Sequence, residues 1–280
     1  MKNLLGVVLI VTTSFSAFTQ GRVDGFLKGK GNLDIAVGTN VELNERFYAG
    51  NNLIDLSRTI VSANTFFAYG IANNLDVNVS IPFVSVNGVE NNLQDVALFL
   101  KYQFTQLKLA DGKKGKINFL IAGGFSSNIT NYETEGGSAI GQQAKVLDIR
   151  PVIHYQTNSG FFTTLQGGYN YKFDPVPDAA VFAAKIGLAK ANWYADLWYD
   201  GQIGRGGLDY LGIPAPASFR ELGVDYHKIG GTFYKPVKER LGIYGGASYV
   251  LDGRNISKGI GFSLGLVFKP NVKRKNKSKE

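Results

Sequence analysis

The residues best suited to acid–base chemistry in this chain of 280 residues are its two histidines, His154 and His227. Alternation along their segments places both on an inward face, near Asp148, Arg150 and Asp225. The chain has no cysteine, and no group of histidine and acidic residues has the spacing of a metal site. We therefore predict no catalytic residues, no metal and no cofactor. An outer-membrane enzyme acting on lipid is the least favoured function.

A larger group of residues carries charge and can bind or repel a solute without taking part in a reaction. Its members fall on the polar set of positions in alternating segments: Asp34, Arg58, Asp76, Lys101, Lys116, Asp148, Arg150, His154, Lys172, Lys185, Asp196, Asp200, Glu221 and Asp225. A charge that faces lipid near the midplane of a bilayer costs about 2–4 kcal/mol, so we place this set inward as candidate lining of a lumen. Two interpretations stay open: a passage that selects solutes by charge and size, or a salt-bridged interior that closes. The mixed signs argue against a strongly ion-selective pore.

The elements that must position this set are strands. Apolar residues alternate with polar ones along most of the chain, as where Leu75, Val77 and Val79 alternate with Asp76 and Asn78. Many of the segments run for about 10 to 13 residues, the length at which a tilted strand crosses a bilayer, whereas soluble strands usually have about five or six. The sequence therefore predicts an all-β protein, an antiparallel up-and-down transmembrane β-barrel whose apolar side chains face lipid.

We predict about twelve strands in this barrel. They cover residues 30–43, 57–70, 75–85, 93–105, 115–127, 144–156, 160–173, 179–190, 192–203, 219–234, 240–250 and 257–268. An even number places both ends of the barrel on one side, which is periplasmic in bacterial barrels. The connections 44–56, 128–143 and 204–218 are long and are expected outside.

Two local features of these segments carry expectations of their own. The apolar face changes along the strand near His227–Lys228, and a β-bulge there would restore it. The connection 128–143 is rich in Gly, Ser, Thr and Asn, and it can either fold inward as a constriction or stay outside.

The first and last segments of the chain indicate its compartment. Residues 1–20 have the layout of a cleaved secretory signal peptide: a lysine, an apolar run and small residues before Gln20 or Gly21. The barrel then takes 21–268, and 269–280 is a basic tail that we place in the periplasm. The expected partners are outer-membrane lipid, the barrel-assembly machinery during insertion and a small-molecule solute of unknown identity, but no nucleic acid.

Two segments carry a family resemblance. Residues 65–84 read TFFAYGIANNLDVNVSIPFV and residues 93–102 read LQDVALFLKY, with KGKG at 28–31 before the first strand. They resemble the outer-membrane transporter-like barrels of the family linked to the meta-pathway of phenol degradation, over about residues 28–105. The resemblance implies uptake of small molecules, including hydrophobic or aromatic ones. Residues 21–27 look too short to form an N-terminal plug like that of the fatty-acid transporters.

The leading function is therefore an outer-membrane channel or transporter for small molecules. The alternative is a closed structural or interaction barrel that presents external loops.

Overall fold

The computed structural model describes residues 23–110 and 114–270. The predicted signal peptide, 1–20, and most of the predicted basic tail lie outside these residues. None of the described residues belongs to a helix long and apolar enough to cross a membrane.

Strands make up most of the described chain. They are β1 (Leu33–Ala49), β2 (Asn52–Ala72), β3 (Leu75–Val86), β4 (Glu90–Leu93), β5 (Asp95–Leu109), β6 (Gly115–Asn128), β7 (Val146–Gln156), β8 (Phe161–Lys172), β9 (Ala179–Ala189), β10 (Tyr194–Gly204), β11 (Asp225–Lys238), β12 (Leu241–Arg254) and β13 (Ser257–Phe268). A short 3-10 helix, Phe219–Glu221, precedes β11.

The strands close into a barrel. Apart from β4 and β5, each strand pairs antiparallel with its neighbours along the chain, and β1 also pairs with β13 from Ile35↔Phe268 to Phe47↔Ser257. β4 and β5 flank Gln94 and both pair with β3, so together they act as one barrel strand. The predicted twelve-stranded antiparallel barrel is confirmed.

The two faces of the wall follow the predicted alternation. Along β5, Leu98, Leu100 and Tyr102 are 44–49% exposed, whereas the intervening Phe99 and Lys101 are each 1% exposed. β13 shows the same outward apolar row, from Ile260 to Phe268. A belt of exposed apolar side chains around a closed ladder of hydrogen bonds is the surface that lipid requires.

The barrel has two ends, which we name by their connections. The turn end holds both ends of the barrel wall, residues 110 and 114 beside β5 and β6, and the connections 73–74, 157–160, 190–193 and 239–240. The loop end holds the connections 50–51, 87–89, 129–145, 173–178, 205–224 and 255–256.

Two predicted boundaries at the loop end are wrong. Residues 44–56 are not a long loop, because β1 and β2 continue as a paired hairpin and meet at the two-residue turn Gly50–Asn51. Gly50 has a φ of +58°, the left-handed conformation that glycine adopts at little cost. The strand predicted from residue 219 begins instead at Asp225, since residues 219–221 form the 3-10 helix.

The predicted register irregularity near His227–Lys228 is confirmed in position but not in detail. His227 pairs with Asp252 and Lys228 with Val250, so the extra residue is Leu251 in β12 and not a residue of β11. β11 therefore alternates without a break: Tyr226 and Lys228 line the lumen, and His227 faces outward. The expected inward placement of His227 is wrong.

Candidate functional site

The lumen at the turn end is filled by residues 23–28, which we call the plug. Val23 and Phe26 are 2% and 4% exposed. Val23 packs among Ala97, Phe99, Leu120, Ala122 and Val152. Phe26 belongs to a cluster contributed by other strands: Ala36, Phe162, Tyr194, Tyr234, Tyr244 and Val267. The expectation that this segment is too short to plug the barrel is wrong, because a few extended residues suffice to reach side chains on several strands of so narrow a barrel.

Buried ion pairs fix the plug to the wall. Lys101 Nζ lies 2.6 Å from an Asp24 oxygen and 3.6 Å from an Asp76 oxygen, and it also donates to the Phe26 carbonyl. Lys28 Nζ lies 2.7 Å from Asp34, and its backbone N–H donates to Asp76 at 2.9 Å. The predicted residues Asp34, Asp76 and Lys101 thus bind this segment. Removing one partner of such a pair leaves a buried charge uncompensated.

The charge of Lys28 is secured by the same carboxylates. Burial by itself lowers the pKa of Lys28, but Asp34, Asp24 and Asp76 outweigh it and raise the pKa above its ordinary value. Lys28 therefore holds its proton more tightly than a free lysine does.

Steric fit adds to these charges. A Cβ at Gly25 would lie 2.2 Å from His154 Nδ1, and one at Gly70 would lie 2.0 Å from the Gly29 carbonyl oxygen. His154 itself is fully buried, bonds to the Thr164 hydroxyl at 2.8 Å, and packs edge-on against Phe26 with ring centroids 4.5 Å apart. His154 thus contacts Gly25 and Phe26 and helps to hold the plug in the lumen.

Lys185 and Asp196 form a further buried pair at this level, with 3.0 Å between Nζ and a carboxylate oxygen. Asp196 also accepts a hydrogen bond from Tyr194, which belongs to the Phe26 cluster. A cavity of about 320 Å³ lies on the turn-end side of the plug. It is lined by residues 25–29 and by Lys116, Asn118 and Gln156 of the barrel wall.

The loop-end half of the lumen is hollow. A cavity of about 720 Å³, which we call the chamber, is lined by apolar side chains that include Phe47, Leu56, Tyr210 and Phe219, and by charged ones. It adjoins a central, more polar cavity of about 420 Å³, with which it shares Glu42, Ile60, Gln94, Ile140 and Lys228.

Six charges of alternating sign cross the chamber, and we call them the charge belt. They are Asp148, Arg150, Asp200, Lys228, Glu42 and Arg58, all lining the chamber. Asp148 bonds Arg150 at 2.7 Å, and Lys228 bonds Glu42 at 2.6 Å. Asp200 interacts electrostatically with Arg150 and Lys228. Arg58 interacts in the same way with Glu42.

Two loops roof the chamber. In the loop 129–145, Gln142 Nε2 donates to the carbonyls of Phe219 at 3.1 Å and Leu222 at 2.9 Å, and Arg220 Nε donates back to the Gln142 carbonyl at 3.1 Å. Arg58 also donates to the Ala139 carbonyl at 2.5 Å. This loop therefore lies over the lumen, as in the inward interpretation, and its role as a constriction stays a prediction.

The base of the same loop is fixed by Tyr132. Its hydroxyl donates to Asp95 at 2.7 Å. Burial, together with the negative charge of Asp95, raises the pKa of the Tyr132 phenol well above its ordinary value. The phenol therefore holds the proton that it donates to Asp95 more tightly than a free tyrosine does.

The other four residues of the predicted set lie in four different places. Lys172 lines the chamber and Lys116 the turn-end cavity. Glu221 is not on a strand: it ends the 3-10 helix and accepts the Ala217 N–H at 3.0 Å. Asp225 alternates with chamber-lining Tyr226 and accepts the Gly204 N–H at 2.6 Å. Whether the set governs passage stays a prediction.

Sequence reasoning missed Glu42 and Lys228. Glu42 shares an alternating polar row with Asn40 and Asn44, so a signal for it was present. Lys228 was missed because the even-numbered residues at the start of β11, such as Tyr226, were taken to face lipid, whereas they face the lumen.

It also missed a Gly-x-Ser-x-Gly pattern at residues 261–265, the spacing of a hydrolase nucleophile elbow. Ser263 lies in the middle of β13, paired with Asn40 and Gly246 on either side, and not at a strand-to-helix turn. His227 lies on the outer surface, where its Nδ1 bonds to the Tyr199 hydroxyl at 2.5 Å. Among the described residues, no group of three histidine or acidic side chains is arranged to hold a metal ion.

Comparison with known proteins establishes the fold. No protein-family profile and no curated protein matches the chain. A crystal structure of an outer membrane channel from Pseudomonas putida F1 is similar with a TM-score of 0.64 at 12% identity, covering 86% of this chain and 96% of that one. The NanC porin gives a TM-score of 0.49 at 11% identity, covering 85% and 100%. The similarity to the first of these shows that the chain has the fold of an outer-membrane β-barrel.

Proposed function

We propose that this protein is a passive outer-membrane channel for small molecules, with an axial path that the plug closes at rest. The observation that carries the proposal is the division of the lumen. Hollow space of about 420 and 720 Å³ lies on the loop-end side of the plug and about 320 Å³ on its turn-end side. Among the described residues, the plug and the wall side chains packed against it lie between the cavities on the two sides.

The way in which the plug is held supports its removal. None of residues 23–28 belongs to a strand, so the plug can leave without breaking any hydrogen bond of the barrel wall. Its anchors are the Phe26 cluster, the ion pairs of Asp24 and Lys28, and hydrogen bonds between its backbone and side chains of the wall. A barrel whose ladder is closed by β1 and β13 keeps its shape when these contacts open.

In this proposal the loop end faces the outside and the turn end the periplasm, as expected for a chain with an even number of strands and a cleaved signal peptide. The barrel-assembly machinery would insert it, and outer-membrane lipid would contact the apolar belt. The resemblance of residues 28–105 to transporter-like barrels, and the fold shared with an outer membrane channel, agree with a role in uptake.

Single-channel recording in planar bilayers tests the proposal. Phe26→Ala removes the centre of the plug contacts, and Asp24→Ala removes a partner of Lys101. We expect short, rare openings in the unchanged protein and openings at least about tenfold more frequent in each variant. Asp174→Asn, at an exposed site in the loop 173–178, is the matched control and is expected to leave the current unchanged.

The second candidate is a closed structural or interaction barrel. It is favoured because the plug fills the lumen at the turn end and two loops cover it at the loop end. It predicts no conductance and no solute flux in the unchanged protein or in either plug variant. That outcome, with correctly folded barrels, would replace the channel proposal.

A further inference from the structure

Resting on the proposed channel function, we infer that the chamber binds a small zwitterion with an apolar side chain, a solute of the α-amino-acid type. It would hold this solute between the charge belt and the aromatic part of the roof before passage.

The charge belt favours a solute that carries both signs. Asp148, Asp200 and Glu42 supply three negative charges, and Arg150, Lys228 and Arg58 supply three positive ones, in alternating order. A belt of zero net charge gives no lasting attraction to a lone anion or a lone cation. A solute with two opposite charges can satisfy one member of each sign at once.

Arg58 provides the open site for a carboxylate. Its Nη2 donates to the Ala139 carbonyl at 2.5 Å, but its Nε is buried and makes no hydrogen bond within the described part of the chain. A buried guanidinium N–H without an acceptor is costly. An arriving carboxylate would accept from it, and charge-assisted bonds of this kind are short and strong.

Asp200 provides the matching site for an ammonium group. It receives the Tyr226 hydroxyl at 3.4 Å, which is long for a hydrogen bond between oxygens. No cation lies within salt-bridge distance of its carboxylate among the described residues, whereas Asp148 and Glu42 are each fully paired at 2.7 and 2.6 Å. Asp200 is therefore the belt carboxylate most available to a solute.

An aromatic row supplies the apolar contact. The rings of Phe47 and Tyr210 pack edge-on with centroids 5.6 Å apart, and those of Tyr210 and Phe219 do so at 5.3 Å. All three line the chamber, together with Leu56, which shares a face of β2 with Arg58. A volume of about 720 Å³ is in the range of small-molecule sites, so a side chain the size of a phenyl ring fits beside the charges.

Isothermal titration of the intact, detergent-solubilised protein tests this with three probes of one skeleton: phenylalanine, 3-phenylpropionate and 2-phenylethylammonium. They share the phenylethyl group and differ in which charges they carry. We expect phenylalanine to bind at least about tenfold more tightly than either single-charge probe, since one charge-assisted bond is worth that factor. Equal or tighter binding of either single-charge probe, or no binding of any of the three, would overturn the inference.

Two variants locate the site. Asp200→Asn should lower the affinity for phenylalanine to that for 3-phenylpropionate, and Arg58→Gln should lower it to that for 2-phenylethylammonium. Asp174→Asn should change neither. Unchanged phenylalanine binding by folded Asp200→Asn protein would also overturn the assignment.

Flux separates this inference from the proposed function. Swelling of liposomes that contain Phe26→Ala protein reports passage of a neutral sugar without any need for the charge belt. Sugar passage with no preference for the zwitterion in titration removes only the inference. Zwitterion binding with no passage of any solute removes only the channel.

Discussion

The two halves of the lumen both contain buried charged residues, but these residues have different partners in each half. At the plug, Lys101 lies between Asp24 and Asp76, and Lys28 contacts Asp34 and Asp76, so each of these charges has an opposite charge beside it, although Asp76 Oδ1 accepts no hydrogen bond within the described residues. In the chamber, no described residue accepts from Arg58 Nε, and no described cation lies within salt-bridge distance of Asp200. Buried charge alone therefore does not say whether a lumen is closed; what matters is whether the chain itself places an opposite charge beside each buried one.

The largest effect is expected from removing the ion pairs that hold the plug. Lys101→Met would leave Asp24 and Asp76 buried without their cation, which costs on the order of 3–5 kcal/mol for a buried pair. We expect the plug to leave the lumen and single-channel recordings to change from mostly closed to mostly open.

The matched control for this change is Lys108→Met, an exposed lysine on the same strand, β5. It should leave the current unchanged. A closed record from folded Lys101→Met protein would show that these ion pairs do not hold the plug.

A smaller effect is expected at the roof of the chamber. The buried Asn255 accepts from the N–H groups of Gly50 at 2.9 Å and Tyr210 at 2.8 Å, and donates to the carbonyl of Gly223 at 2.7 Å. Asn255→Ala leaves these groups unsatisfied at about 1–3 kcal/mol each. We expect limited proteolysis to cut the loop 205–224 at least several-fold faster.

Asn87→Ala is the matched control for the roof variant. Asn87 has a similar positive φ, 55° against 52°, and accepts from Thr59 N–H at 2.9 Å in another loop-end turn. Proteolysis of the loop 205–224 should not change in this variant. Equal sensitivity of both variants would mean that any loss at the loop end loosens the roof.

The smallest effect concerns ion selectivity. Because the charge belt sums to zero, an open plug variant should show almost equal passage of potassium and chloride, with a reversal potential near zero in a salt gradient. Adding Glu42→Gln removes one negative charge and should shift this potential modestly toward chloride, and the shift should shrink at high salt as screening increases. A strong preference before that substitution would contradict the balanced belt.

The sequence predicted the wall of this protein better than its interior. Alternation determines which face of a strand meets lipid, so the twelve barrel strands and the inward position of Lys101 followed from local pattern. The hairpin beyond Asn44 was missed because its pairing depends on contacts such as that of Phe47 with Tyr210, from a distant loop. The plug was missed because Phe26 has no periodic signal and is held in place by side chains from distant strands, among them Tyr194 and His154.

Closure of the axial path by the plug is tested most directly by deletion of residues 23–28. In planar bilayers, the shortened barrel should carry a stable, continuous current where the full chain carries rare openings. A shortened, folded barrel that stays closed, or a full chain that already carries the same continuous current, would contradict it.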